Sequence, residues 1–174
     1  GLISVISVGS YVLLYTPLKK KTELCTVVGA VPGALPALAG WTAARGTIDP
    51  AGIVLFAILF LWQVPHFFAI GWIYREDYAN ARIPILPVID PQGERTAFQS
   101  ILFTALLFLV SLLPTLLRMT GWIYLVGAMG LGGFFLTAAL RFRRNRTIPV
   151  ARKLFFASIL YLPLLWAFMV IDKV

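Results

Sequence analysis

One histidine stands in the whole chain, and it sits inside an apolar run. The stretch "WQVPHFFAIGWIYREDYANARIPILPV", residues 62–88, starts as a buried segment and turns charged at Arg75-Glu76-Asp77. On an ideal helix Gln63, His66, Ile70, Tyr74 and Asp77 fall within roughly 80° of one another, a stripe about 21 Å long. Four of those five are polar, so the stripe is expected to face a cavity or a bundle interior rather than lipid. Gln63 and Tyr74 are candidate substrate contacts, and His66 is a candidate catalytic residue. Asp77, at the aqueous edge, could hold Mg²⁺, a cation that prefers oxygen ligands and substrate phosphates. The competing readings are a satisfied packing histidine and an ordinary interfacial carboxylate. Glu76 fits the latter role better. Trp62, Phe67, Phe68 and Trp72 are read first as core or lipid-facing aromatics. Three consecutive lysines, Lys19, Lys20 and Lys21, could clamp a diphosphate or simply flank a membrane helix.

These residues need elements to position them, and composition says which solvent those elements meet. Of the 174 residues, 60% are hydrophobic and only 13% are charged, against about 25% charged in soluble domains. Six apolar stretches, roughly 1–16, 24–41, 51–74, 97–117, 121–140 and 154–171, approach the ~20 residues a crossing helix needs. The expected architecture is all-α, a polytopic transmembrane helix bundle in one domain over 1–174.

The net charge of +8 gathers between those stretches, which reads as membrane flanks and argues against nucleic acid. Lys19 to Lys21, Arg75, Arg82, Arg95, Arg141, Arg143, Arg144, Arg146, Arg152 and Lys153 fall on one side. Arg45, Arg118 and Lys173 fall on the other. The positive-inside rule then places the 75–96 loop inside and the C-terminus outside. Cys25 is alone, so it has no intrachain partner and reads as a small buried hydrophobe. Gly1 enters an apolar run with no basic segment before it, so the chain is expected to be N-terminally incomplete.

"YTPLKKKT" at 15–22, "VGAVPGALPALAGW" at 28–41, "WQVPHF" at 62–67, "YREDYANARIPILPV" at 74–88 and "ARKLFFASILYLP" at 151–163 together resemble the heme-modifying branch of the UbiA-type intramembrane prenyltransferases. The resemblance implies a nine-helix bundle of which these would be the last six helices, in a bacterial cytoplasmic membrane. It implies transfer of a farnesyl group from farnesyl diphosphate to a vinyl group of heme B, with addition of water, to give heme O. Mg²⁺ is the implied cofactor, and heme A synthase a candidate partner. Asp77, with Tyr78 beside it, matches the second acidic motif of the family, and Lys19 to Lys21 match its diphosphate contacts. His66 matches a histidine placed to face or ligate the heme.

Three departures accompany the match. The first acidic motif is absent, so residues 1–174 alone are expected to be inactive. Ala81 stands where sister branches carry a second aspartate. Arg82 replaces the usual glycine, where it could add a phosphate contact or obstruct the turn, and Pro36-Ala37 replaces a Pro-Pro pair. The alternatives are a sister prenyltransferase with an aromatic acceptor, such as a quinone or chlorophyll precursor, and a non-catalytic membrane subunit or transporter.

Overall fold

A computed structural model of the chain describes residues 1–18 and 22–174. Helix α1 (Leu2–Ser10) runs through a π-helical turn (Tyr11–Tyr15) into the short α2 (Thr16–Leu18). There follow α3 (Cys25–Arg45), α4 (Pro50–Ile73), α5 (Arg75–Asn80), α6 (Leu86–Ile89), α7 (Glu94–Val110), α8 (Leu113–Leu116), α9 (Trp122–Arg144) and α10 (Ile148–Ile171). Among the described residues there is no strand, only an isolated bridge between Thr120 and Lys173.

Among the described residues, five helical segments are long and apolar enough to cross a membrane: Cys25–Arg45, Pro50–Ile73, Glu94–Leu116, Trp122–Arg144 and Ile148–Ile171. The first apolar stretch forms the shorter α1–α2 run, so it is a helix as expected but not one of crossing length. Large apolar side chains cover the outside, Leu109, Val126, Phe156 and Val170 among them. A protein with this surface is an integral membrane protein, because no aqueous surface of this size stays so apolar.

Local chemistry sets the ends of the helices. Asp49 caps α4 by accepting from Gly52 N at 2.9 Å, and the same Oδ1 accepts from Trp41 Nε1 at 2.8 Å. Pro50 occupies the first turn of α4, where its missing N–H costs nothing. Gly46, at φ 76°, ends α3 in the left-handed conformation. Asp90 is buried and accepts from Thr96 N at 2.8 Å and Thr96 Oγ1 at 2.9 Å, which fixes the start of α7. Asp172 Oδ2 accepts from Tyr124 N at 2.8 Å, while its carbonyl accepts from Gly121 N at 3.0 Å. The end of α10 thereby closes the start of α9.

Helix α4 is the hub, packed on α3, α7 and α10. The main core lies between α4, α7, α9 and α10 and includes Ile58, Leu107, Phe135, Phe142 and Leu154. Glycines bring two of these helices together. A Cβ on Gly132 of α9 would overlap the Phe108 ring of α7. Polar atoms inside this core are paired: Tyr161 Oη lies 2.7 Å from Ser111 Oγ, and Tyr124 Oη donates to Ser111 O at 2.9 Å.

Helix direction alternates, so Arg45, Arg118 and Lys173 gather at one end. The 75–96 loop and the 141–153 turn meet at the other, where Trp72 Nε1 donates to Arg146 O at 3.1 Å and Glu94 pairs with Arg146 at 3.9 Å. Glu23 joins that end through Arg95 at 2.6 Å.

Candidate active site

A cavity of about 630 Å³ opens between α1, α3, α4 and the segment that follows α4. Its size suits a small-molecule site. Thr26, Gly29 and Gly33 of α3 line one wall, Gln63 and Phe67 of α4 another, and Tyr78 and Ile83 come from the loop.

Gln63 is a buried polar residue of this cavity, which Ser7, Thr26 and Tyr78 also line. It is only 7% exposed and lines the space. No hydrogen-bond partner for its amide occurs among the described residues. An amide left unpaired in a membrane bundle is costly unless a ligand or water satisfies it. Gly33 makes the seat for it: a Cβ there would overlap Gln63 Oε1 and lie 3.0 Å from Cδ. The service of Gly33 to Gln63 becomes visible only when α3 and α4 are packed.

Tyr78 and Ile83 reach the cavity through a defined turn. Ile83 N donates to Tyr78 O at 3.0 Å, and Arg82 N donates to Ala79 O at 2.9 Å. This is the paired bonding of a Schellman helix stop, with Arg82 at the left-handed position, φ 56°. The turn also brings the side chains of its outer pair, Tyr78 and Ile83, to one wall. A glycine is the ordinary occupant of that position because it has no Cβ to strain, so the departure at Arg82 falls on a backbone that favours glycine. Arg82 does not obstruct the turn; its side chain is exposed.

His66 turns away from this cavity. Its ring stacks on Trp62 at 4.6 Å between centroids and tilts against Phe155 at 5.1 Å. His66 Nδ1 lies 2.8 Å from Ser158 Oγ on α10. Ser158 Oγ has one proton and donates it to Phe155 O at 2.6 Å, so it accepts from His66. The neutral ring therefore carries its proton on Nδ1, which leaves the Nε2 lone pair for a base or ligand role. Trp62 Nε1 donates to Ser158 O at 2.8 Å and fixes the same corner. Ser158 escaped sequence reasoning because it lies 92 residues from His66, and an isolated serine in an apolar run gives no local signal.

The continuous polar stripe is thus divided. Helix α4 ends at Ile73, and Tyr74 takes φ −108° and ψ 26°, outside helical geometry. Gln63 faces the cavity, His66 faces α10, Tyr74 is exposed at the joint, and Asp77 belongs to α5. Projection on a straight helix could not anticipate the break.

The sequence pattern of the UbiA prenyltransferase family matches residues 1–167. The chain belongs to this family. It is 48% identical over 171 residues to a protoheme IX farnesyltransferase of Solibacter usitatus (strain Ellin6076), covering 98% of this chain and 59% of that one. The protein of that name from Opitutus terrae (strain DSM 11246 / JCM 15787 / PB90-1) is 47% identical over 174 residues, with 99% and 59% covered. That from Salinibacter ruber (strain DSM 13855 / M31) is 48% identical over 162 residues, with 93% and 57% covered. The chain therefore spans rather more than half the length of these relatives. A solved structure concerned with digeranylgeranylglyceryl phosphate synthase in membranes shares the fold, with a TM-score of 0.80 and 18% identity over 97% of this chain and 58% of that one.

For a UbiA chain, the acidic residue to weigh as a metal ligand is Asp77. It is exposed in the first turn of α5, and no ion pair engages it among the described residues. The described residues contain no cluster of three or more candidate metal ligands. One accessible carboxylate fits Mg²⁺ in the mode that takes one or two carboxylates and completes its shell with substrate phosphates and water. The expected UbiA diphosphate contacts Lys19, Lys20 and Lys21 lie outside the described residues. The Glu23–Arg95 pair nonetheless ties the chain just after them to the end of the bundle that carries Asp77.

Proposed function

We propose that the chain is the C-terminal part of a farnesyltransferase acting on heme B, with farnesyl diphosphate as donor and heme O as product. The observation that carries this reading is 45–48% identity over nearly the whole chain to relatives that bear the protoheme IX farnesyltransferase name. On this reading the six helical segments are the last six of a nine-helix bundle in the bacterial cytoplasmic membrane. The end that carries nine of the twelve described basic residues faces the cytoplasm.

The reaction breaks the allylic C–O bond of the donor and releases diphosphate. The farnesyl C1 bonds to the terminal vinyl carbon, a water oxygen adds to the inner one, and a proton leaves. Mg²⁺, held by Asp77 together with the donor phosphates, would supply charge neutralisation for the leaving group. Arg82 adds a cation at the same end, and Lys19, Lys20 and Lys21 are further candidates for contact with the diphosphate. Phe67 and Tyr78 offer aromatic faces to a developing allylic cation, and the apolar walls keep bulk water from it. Gln63 hydrogen-bonds a polar group of the bound substrates, and Tyr74 borders their entry. His66 lies outside that cavity, against α10, so its Nε2 lone pair would serve a heme bound on that side, as an iron ligand or as acceptor of the proton released from water.

Heme O formation by the full-length protein in membranes, measured by liquid chromatography and mass spectrometry, tests this. Asp77→Asn and His66→Ala should each abolish or greatly reduce product, and chelation of Mg²⁺ should do the same. Wild-type turnover by both variants would remove the assigned site, and prenylation of an aromatic acceptor in place of heme B would overturn the substrate.

A further inference from the structure

A second cavity, of about 480 Å³, lies away from the first, between the end of α9 and the start of α10. Its rim carries Arg141, Arg144 and Lys153, and further along the two helices it is lined by Phe134, Phe156 and Leu160, each half-exposed on the lipid-facing side. The two helices run antiparallel, so each presents cations at the edge of the bundle and apolar groups further in. From Arg144 back to Phe134 is ten residues, or about 15 Å; from Lys153 on to Leu160 is seven, or about 10 Å. That gradient matches an amphipathic molecule standing along the membrane normal.

Two neighbouring cations are engaged outside this groove. Arg143 lies over the Phe98 ring at 6.0 Å, and Arg146 pairs with Glu94. Arg141, Arg144 and Lys153 have no ion pair among the described residues. No acidic residue occurs from Trp122 to Ile171, so neither wall can supply a counter-charge of its own. The positive-inside rule explains why cations gather at this end, but not why three converge on one groove with an apolar floor. Basic pockets between membrane helices hold anionic headgroups.

We propose that this groove binds a phospholipid of net negative headgroup charge, with its phosphate held by Arg141, Arg144 and Lys153 and an acyl chain along Phe134, Phe156 and Leu160. The inference is independent of the prenyl-transfer reading, since none of these residues borders the first cavity.

The test uses full-length protein in phosphatidylcholine nanodiscs doped with phosphatidylglycerol, and native mass spectrometry of the lipid that stays bound. Wild type should retain phosphatidylglycerol over phosphatidylcholine. Each single neutralisation, Arg141→Gln, Arg144→Gln or Lys153→Gln, should weaken that preference about fivefold, and the triple variant on the order of 100-fold. Arg152→Gln, which removes a neighbouring cation outside the groove, should retain the wild-type preference. Thermal melting confirms that each variant is folded. Equal retention of both lipids by wild type would overturn the proposal, as would an effect of Arg152→Gln equal to that of Arg144→Gln. Displacement of the lipid by inorganic phosphate or diphosphate would make the groove a free-anion site, and displacement by heme B would make it part of the acceptor path; either outcome overturns the lipid assignment.

Discussion

Gly33 and Gln63 touch across α3 and α4 so closely that a single added carbon on Gly33 would overlap the Gln63 carboxamide. Gly33→Ala is therefore expected to push that amide into the cavity. Helix propensity favours the alanine by about 0.5–1 kcal/mol, so the melting temperature should change little. If Gln63 holds substrate as proposed, turnover should fall on the order of 100-fold, because a displacement of about 1 Å at a group that positions substrate costs that much. Heme O formation by a folded Gly33→Ala protein at the wild-type rate would show that Gln63 does not position substrate.

Ser158 is expected to act through His66, as a positioning residue. Ser158→Ala leaves the Nδ1–H unpaired and should cost about 1–3 kcal/mol of stability. It also frees the ring to change tautomer, so turnover should drop about tenfold. The informative measurement is a double-mutant cycle on activity: once His66→Ala is present, adding Ser158→Ala should cost nothing further. Independent, multiplying effects would separate the two residues.

Arg82→Gly should have two effects of opposite sign. Relief of the left-handed backbone is expected to stabilise the protein by about 1 kcal/mol, read as a higher melting temperature in detergent. Loss of a cation near Asp77 is expected to raise the KM for farnesyl diphosphate severalfold. An unchanged KM would confine Arg82 to the turn.

Asp90→Ala should be among the more destabilising single changes in the loop. It strands both Thr96 N–H and the Thr96 hydroxyl, which the carboxylate now satisfies in a buried place. A loss of about 1–3 kcal/mol is expected, with Asp90→Asn costing less because an amide oxygen still accepts. Chemical denaturation of the two variants side by side makes the comparison, and equal losses would mean that charge, not hydrogen bonding, matters there.

The helices were legible in the sequence because a bilayer leaves the backbone few choices. The grouping of Arg141 to Lys153 with the 75–96 loop followed from charge alone, and the contacts of Arg146 with Trp72 and Glu94 bear it out. Site geometry was less legible, for specific reasons. The helical projection of Gln63, His66 and Asp77 assumed one straight rod, and the chain bends out of helix at Tyr74. Even within α4, Gln63 and His66 point to different neighbours, a distinction set by what packs on each side. Asp90 was passed over because a lone aspartate in a loop looks alike whether it caps a helix or meets solvent.

Asp172 has a further consequence, one of timing. The carboxylate that caps the first turn of α9 lies 48 residues downstream of Tyr124, and Val174 N donates to Met119 O at 3.2 Å. During synthesis α9 is made and enters the membrane before its cap exists. The stitch between Gly121 and Asp172 forms only after α10 has been made as far as Asp172, so closure of the α9–α10 hairpin waits for the whole of α10.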